Sequence, residues 1–417
     1  MRPLLSVPSR PRPGRRARRA APPARGRARH IAPLDGLRGC AVLAVLLFHA
    51  GHLGGGFLGV DLFFVLSGFL ITGLLLGETA RRGRVDLAAF WGRRARRLLP
   101  ALTVMGTVTL LLTWAFGTPA VLGFALDDAP WVAAQAVNWH FVTEQIGYWN
   151  ASGTRVFAHL WSIAVEWQFY AAWPLVVAVA GRGRGGERRV AVLAGAGALV
   201  SLLLMLRLGD AVDTTRAYEG TDTRAFALLL GALVATAPVR GLIARVPARL
   251  AGAACALLVC GLAAAWALTE GQHAPGLFRG GLFTHSLACA LLIALLAAAP
   301  DGRVGRLLGS AVPRRLGELS YSLYLWHWPV YLLLPDEVLG VGGRGRTALA
   351  IAVSLGAAVL SKVLVEDPVR FRARWAAGRR GLVALAAAAA VAAGVWALVP
   401  QPHPGAGTVD VERLEAT

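Results

Sequence analysis

Residues 34–76 read LDGLRGCAVLAVLLFHAGHLGGGFLGVDLFFVLSGFLITGLLL, in which two apolar segments, 34–53 and 57–76, flank three consecutive glycines at 54–56. About 20 mostly apolar residues form a helix long enough to cross the hydrocarbon core of a bilayer. The lipid core offers no hydrogen-bond partners to the backbone, so such segments cross it as helices. The stretch therefore predicts two antiparallel transmembrane helices joined by a short turn.

Nine further segments of this kind predict an all-α integral membrane protein, a polytopic bundle of about 10–11 transmembrane helices. Of the 417 residues, 56% are hydrophobic and only 16% are charged, whereas soluble domains carry about 25% charged residues. Four cysteines exclude a secreted disulfide scaffold, and the apolar content excludes a disordered chain. The further predicted spans are 99–116, 160–180, 190–206, 224–238, 250–268, 281–299, 318–335, 346–364 and 381–399, of which 224–238 is the shortest.

The basic residues predict the orientation of the chain. The formal net charge is +20, which in a soluble protein would indicate a nucleic-acid partner. If the N-terminus is cytoplasmic and eleven spans alternate, 35 of the 43 basic residues fall on the cytoplasmic side, as the positive-inside rule requires. We therefore predict a multi-pass protein of the cell membrane that contacts anionic lipid, with its C-terminus outside and with no nucleic-acid partner.

The sequence divides into three predicted regions. Residues 1–30 are rich in Arg, Pro, Gly and Ala, which predicts a disordered basic cytoplasmic tail. Residues 31–399 form the membrane domain, and 400–417 form a short outer tail. The stretch 117–159 is the longest outside the predicted spans and is expected on the outer side. The oligomeric state does not follow from the sequence.

Ionisable side chains inside spans are costly and indicate function. His49 precedes the glycine turn by five residues and Asp61 follows it by five, so the two are expected at similar depth in the outer half of the membrane. A histidine beside a carboxylate can act as a general base, because the acid orients the ring and stabilises the imidazolium. The alternative is a structural polar pair that joins two helices.

A second pair of ionisable residues, His159 and Glu166, is spaced i, i+7 and so shares one helix face. The span begins outside, which puts Glu166 about 10 Å below His159. Glu166 is therefore expected at the depth of His49 and Asp61.

Four arginines within residues 93–97 are expected on the cytoplasmic side. They are typical of topology determinants and lipid-phosphate contacts, and arginine forks also suit the phosphates of an anionic cosubstrate. The sequence leaves both interpretations open.

Two later segments also carry polar residues. Tyr324, His327 and Tyr331 share a helix face, where aromatic packing accounts for the tyrosines and His327 is either functional or structural. Glu366 and Arg370 are interpreted as a helix cap with a local ion pair.

Together these blocks resemble, over about residues 31–370 and in order, the acyltransferase 3 family of integral-membrane acyltransferases. The resemblance implies transfer of an acyl group, usually acetyl, from cytoplasmic acyl-CoA to a hydroxyl of a sugar-containing acceptor. It would make 31–399 a membrane acyltransferase domain without a tightly bound cofactor or metal, for which acyl-CoA is the donor substrate. The matching blocks are Leu-Asp-Gly-Leu-Arg-Gly (34–39) with His49, Gly-Val-Asp-Leu-Phe-Phe-Val-Leu-Ser-Gly-Phe-Leu-Ile-Thr (59–72), Arg-Arg-Ala-Arg-Arg-Leu-Leu-Pro (93–100), Leu-Trp-Ser-Ile-Ala-Val-Glu (160–166), Asp222 with Arg224, Tyr321 to Pro329, and Glu-Asp-Pro (366–368).

The resemblance also assigns site residues. The family's Arg-x10-His pattern matches Arg38 and His49, and its Arg-x-x-Arg pattern matches Arg94 and Arg97. We expect His49, assisted by Asp61 or Glu166, to remove the proton of the acceptor hydroxyl, while Arg38, Arg94 and Arg97 bind acyl-CoA. The residues expected to bind the acceptor are His159, Asp222, Arg224, Tyr324, His327 and Glu366.

Two departures from the family pattern bear on the acceptor. The familiar Glu-Glu-Gln is Glu166-Trp167-Gln168 here, and the serine-hydrolase-like outer domain of some members is not found in the sequence. The second departure favours a small or lipid-linked acceptor over peptidoglycan or a large polysaccharide. Direct transfer and a transient acyl-enzyme are both open. The rival interpretations are a transporter or flippase with a buried proton-coupling His/Asp/Glu site and, less favoured, a lipid-carrier glycosyltransferase.

Overall fold

The computed structural model describes residues 31–151, 153–209, 214–271, 274–334, 343–372 and 378–402. All regular secondary structure in these ranges is helical, which confirms the predicted all-α membrane fold. The predicted N-terminal tail and residues 403–417 of the predicted outer tail lie outside the described residues.

Seventeen helices are described, connected in places by 3-10 turns, and two π-helical turns, Lys362–Glu366 and Pro368–Arg372, lie before the last helix. They are α1 Ala32–His49, α2 Gly59–Arg82, α3 Leu87–Phe116, α4 Pro119–Ala133, α5 Val137–Thr143, α6 Tyr148–Ala151, α7 Trp161–Ala180, α8 Gly186–Leu208, α9 Thr215–Glu219, α10 Thr221–Val234, α11 Ala237–Ile243, α12 Ala248–Leu268, α13 Gly281–Ala298, α14 Arg303–Leu308, α15 Ala311–Leu333, α16 Gly343–Ser361 and α17 Gly378–Leu398.

Among the described residues, eight helical segments are long and apolar enough to cross a membrane. A ninth is added if the bent pair formed by α9–α10 and α11, with an angle of 70°, counts as one span, and this pair contains the predicted span 224–238. The predicted spans 318–335 and 381–399 lie in α15 and α17, which have 23 and 21 residues. The protein is thus a multi-pass membrane protein, while its orientation and exact number of spans stay predictions.

The first helix ends earlier than predicted. It stops at His49 rather than at residue 53, because the chain turns at Ala50 and Gly51, and Gly51 has a φ of +75°. His49 is therefore the last residue of α1, at one end of the bundle. We call this end the histidine face and the opposite end, where α1 begins, the arginine face.

Small residues allow close contact between the helices that position the site. A Cβ on Gly317 of α15 would lie 1.8 Å from the carbonyl oxygen of Asp35 on α1, so these two helices cross with their backbones in contact. Gly68 on α2 and Gly231 on α10 form a second close contact of this type. Such glycines are common where membrane helices pack directly against each other.

Candidate active site

His49 is part of a pair of histidines at the histidine face. Its Nδ1 lies 3.0 Å from Nε2 of His327 on α15, and its Nε2 lies 3.1 Å from the hydroxyl of Tyr148 on α6. The direct packing of α1 against α15 brings the two imidazoles together, although 278 residues separate them in sequence. His49 is partly exposed, whereas His327 is fully buried.

The hydrogen bonds of His327 determine which nitrogen of His49 carries a proton. Nδ1 of His327 lies 2.6 Å from the carbonyl oxygen of Tyr324, and a carbonyl can only accept, so this nitrogen is the donor. In a neutral ring Nε2 of His327 then accepts the Nδ1 proton of His49. Nε2 of His49 is left as an unprotonated acceptor that receives the hydroxyl proton of Tyr148. The lone pair that a general base needs therefore points away from His327.

A proline in α15 explains how His159 is held next to this pair. Pro329 has no amide proton, so the carbonyl of Leu325, four residues earlier, has no donor within the helix. Nε2 of His159 lies 3.1 Å from that carbonyl. The hydroxyl of Tyr324 donates to the backbone oxygen of His159 at 2.8 Å and also contacts Ser162 at 2.7 Å. The predicted residues His159, Tyr324 and His327 thus lie together with His49.

A cavity of about 420 Å³ opens beside these histidines. Its volume is within the range of pockets that bind small ligands, about 300–1,000 Å³. His49, His159 and Arg346 supply polar groups on its wall, and aromatic rings form much of the rest. The aromatic side chains that line it are Phe48, Tyr148, Trp149, Trp328 and Tyr331.

Tyr148 is a site residue that the sequence analysis missed. It lies in the stretch 117–159, which was predicted to be on the outer side and outside the transmembrane spans. Burial raises the pKa of Tyr148 well above its ordinary value, so the hydroxyl stays protonated and acts as a hydrogen-bond donor. It cannot itself take a proton from an acceptor.

The predicted contact between Asp61 and His49 is not formed, and Asp61 contacts Arg224 and Ser286 instead. Nη2 of Arg224 lies 2.7 Å from Oδ1 of Asp61, and the Ser286 hydroxyl donates to the same oxygen at 3.2 Å. Both charged side chains are fully buried. The glycine contact between α2 and α10 turns Asp61 toward Arg224 rather than toward α1. Asp61 is thus the counter-ion of a buried arginine.

Asp222 was predicted as part of the same block as Arg224 but faces elsewhere. Its two carboxylate oxygens accept hydrogen bonds from Arg216 at 2.8 and 2.6 Å. The side chain is partly exposed at the start of α10. Neither Asp222 nor Arg224 lines the cavity.

Glu166 lies closer to the arginine face than Asp61 does, contrary to the prediction that the two share one depth. Its carboxylate accepts hydrogen bonds from Ser67 and Tyr170, and its charge acts on Arg38 and Arg94. Ser67 follows Asp61 by six residues on α2, or about 9 Å toward the arginine face. The prediction counted the depth of Glu166 from His159 and placed His159 at the outer end of its span, whereas His159 lies beside His327 and so near the depth of His49.

The predicted acyl-CoA residues meet at the arginine face. Nε of Arg38 donates to Ser320 at 3.2 Å, and Arg94 lies over the rings of Phe90 and Tyr170 at 5.7 and 5.8 Å. The charge of Arg97 acts on both Arg38 and Arg94.

Glu366 belongs to this group rather than to the cavity, and it contacts Ser322 on α15. The predicted Glu366–Arg370 ion pair is not among the ion pairs of the described residues, in which Lys362 pairs with Asp367 at 3.1 Å instead. Ser322, the contact of Glu366, lies five residues before His327 on α15, and Glu366 does not line the cavity. The roles assigned to all these residues stay predictions.

Residues 31–366 match the acyltransferase 3 family, whose shared region is described as an acyltransferase domain. The chain belongs to this family. The predicted resemblance is thereby confirmed, and the two groups of polar residues lie within the acyltransferase domain. Arg38 and His49 are both on α1, about 16 Å apart along its axis.

Relatives of this acyltransferase domain occur in several bacteria. YrhL of Bacillus subtilis, provisionally named a peptidoglycan O-acetyltransferase, is 36% identical over 360 residues. The O-acetyltransferase OatA of Staphylococcus aureus and the peptidoglycan O-acetyltransferase OatA of Listeria monocytogenes are each 33% identical, over 351 and 353 residues. The matched regions cover 82% of this chain but only 55–57% of these proteins, so the chain spans about half the length of the curated relatives it matches. No solved structure shows significant similarity to it.

Proposed function

We propose that this protein transfers an acetyl group from acyl-CoA to a hydroxyl of a sugar-containing acceptor, with His49 as the general base. The observation that carries the proposal is the position of Nε2 of His49, which points away from His327 on the wall of a cavity large enough for a sugar. Membership of the acyltransferase 3 family supports the reaction class.

In the proposed reaction the acceptor hydroxyl replaces Tyr148 as the hydrogen-bond donor to Nε2 of His49. The hydroxyl oxygen attacks the thioester carbonyl, its proton passes to Nε2, and the C–S bond breaks as the tetrahedral intermediate collapses. The products are the acetyl ester and the CoA thiolate, which takes up the proton from His49. Throughout, Nδ1 of His49 keeps its proton and donates it in the hydrogen bond to Nε2 of His327, so the ring does not rotate.

The donor is proposed to bind at the arginine face. Arg38, Arg94 and Arg97 lie close enough for their charges to interact, and like charges in one place favour a polyanionic ligand such as the phosphates of CoA. The pantetheine arm would then extend along α1 toward His49.

The acceptor is proposed to be a cell-wall sugar. The name of the Listeria relative supports peptidoglycan. A lipid-linked cell-wall disaccharide would present its sugar to a cavity at the end of the membrane bundle. Aromatic side chains such as Trp149 and Trp328 suit the apolar faces of a sugar ring.

The test is transfer of labelled acetyl from acetyl-CoA in proteoliposomes, with lipid-linked disaccharide or soluble peptidoglycan fragments as acceptor. We expect His49→Ala to lose the 10²- to 10⁴-fold that a general base contributes. His52→Ala is the matched control, because His52 lies three residues away, is exposed and contacts Thr347 instead. Full transfer by His49→Ala would refute the base.

The same assay separates the remaining interpretations. Release of CoA only when acceptor is present supports direct transfer, and labelled protein without acceptor indicates an acyl-enzyme. A transporter would show uptake that does not depend on acyl-CoA and would release no CoA.

A further inference from the structure

A separate cluster of ionisable side chains lies on α4 and α5, and none of its members lines the cavity. Asp127 and Asp128 on α4 and His140 on α5 each bring one potential ligand atom to within 4.8 Å of the others. Asp128 and His140 are buried, while Asp127 is exposed. We propose that these three side chains bind a divalent transition-metal ion, with Zn²⁺ as the ion that best suits them.

The distances support shared metal binding rather than hydrogen bonding. Nε2 of His140 lies 3.4 Å from Oδ2 of Asp127 and 3.5 Å from Oδ1 of Asp128. This buried nitrogen has no hydrogen-bond partner among the described residues. Two ligand atoms that bind one tetrahedral Zn²⁺ at about 2.0–2.2 Å lie about 3.4 Å apart. The two distances from His140 are therefore those expected for ligands on one ion, and the whole set of three lies within 4.8 Å.

The two carboxylates of the cluster carry one more negative charge than Arg155 can offset. Arg155 bonds to Asp128 and lies 3.7 Å from Asp127, so one guanidinium faces two carboxylates. The second oxygen of Asp128 is buried without a hydrogen-bond partner. With a metal present, Arg155 would support a ligand carboxylate from outside the coordination sphere, as is common in metal sites.

The type of ligand selects the ion. One imidazole nitrogen and two carboxylate oxygens suit Zn²⁺, whereas Ca²⁺ and Mg²⁺ prefer oxygen ligands alone. The ring of Trp131 stacks on the ring of His140, with 5.2 Å between the ring centroids and 6° between the ring planes, and this fixes the orientation of the imidazole. Three protein ligands leave a fourth position for water.

The cluster is linked to the cavity by one hydrogen bond. The backbone oxygen of Arg155 accepts a hydrogen bond from Trp328 at 2.9 Å, and the Trp328 ring lies 4.5 Å from the ring of His49. An ion that holds α4 and α5 against Arg155 would therefore fix the wall of the cavity. Its role is structural, because none of its ligands lines the cavity.

The test uses the full chain, purified in detergent with an affinity tag that contains no histidine and stripped with a chelator. Titration with ZnCl₂ is followed by calorimetry, and thermal unfolding is measured with and without the ion. We expect one Zn²⁺ per chain and a higher Tm. Asp127→Asn and His140→Gln should weaken Zn²⁺ binding at least roughly 10- to 100-fold, which is the loss seen when a residue that only supports a metal ligand is replaced. His52→Ala should bind Zn²⁺ like the natural protein.

Asp127 is exposed, so its variant keeps the test valid if His140→Gln fails to fold. Absence of saturable Zn²⁺ binding would overturn the proposal, as would unchanged affinity in the Asp127 variant. Equal stabilisation by Ca²⁺ would overturn the assignment to a nitrogen-containing site. The readout is metal binding, so it stands apart from the outcome of the acetyl-transfer assay.

Discussion

His327 holds His49 in the tautomer that leaves Nε2 unprotonated, so replacement of His327 by phenylalanine should slow acetyl transfer. The two rings are joined at 3.0 Å, and phenylalanine offers no acceptor for the Nδ1 proton of His49. A buried donor left without a partner costs about 1–3 kcal/mol. Because 1.36 kcal/mol corresponds to a factor of ten in rate, we expect kcat to fall by about 5- to 160-fold. The KM for both substrates should stay within about twofold, since His327 does not line the cavity.

Glutamine at position 327 provides the matched comparison. Its amide oxygen reaches about as far as Nε2 of histidine and can accept the Nδ1 proton of His49, so most of the activity should return. The assay is transfer of labelled acetyl in proteoliposomes, with Tm measured for each variant. His285→Phe controls for loss of a buried imidazole outside the cavity, where His285 pairs with Trp266. Full activity in His327→Phe, or equal loss in a well-folded His327→Gln, would refute the role of His327.

Three further outcomes follow from the same contacts. Asp61→Asn should destabilise the fold by about 3–5 kcal/mol, because Arg224 is left buried without a counter-ion; a normal Tm with lost transfer would instead assign Asp61 to the chemistry. Gly68→Ala should lower the Tm and reduce the free energy of unfolding by about 1–3 kcal/mol, because the new Cβ would lie 1.8 Å from a backbone oxygen of α10. Gly73→Ala is the control, because Gly73 has open space around it and its variant should keep the natural Tm. Equal effects of the two substitutions would contradict this packing. Tyr148→Phe should keep kcat within about tenfold, since the acceptor hydroxyl takes its place on His49, and a loss as large as that of His49→Ala would contradict the mechanism.

Hydropathy and charge predict much of this architecture. Apolar segments of sufficient length identified the helices, since a backbone in lipid must satisfy its own hydrogen bonds. The spacing along α1 gave the separation of Arg38 and His49 directly, because rise per residue is fixed in a helix. The family resemblance, rather than this arithmetic, implied that Arg38, Arg94 and Arg97 act together.

Partners across helices do not follow from that arithmetic. Height along a helix does not determine the direction in which a side chain points, and Asp61 faces Arg224 rather than His49 for this reason. The pairing of His49 with His327 depends on a close approach of α1 and α15 at Gly317, which a hydropathy pattern does not encode. Tyr148 lies in a connection without helical periodicity, so neither its depth nor its direction could be inferred.

The hydrogen-bond chain behind His49 is uncharged, and this suits the proposed reaction better than the carboxylate expected from the sequence. A carboxylate beside His49 would favour the imidazolium and so occupy the lone pair before the acceptor arrives. His327 and the carbonyl of Tyr324 fix the same tautomer without adding charge, and their dipoles are already oriented toward the charge that develops during transfer. Glu166 is engaged by Ser67 and Tyr170 toward the other end of the bundle. Asp61 and Glu166, the two carboxylates predicted to assist the base, thus lie away from His49, which in this proposal stays neutral until the acceptor hydroxyl reaches it.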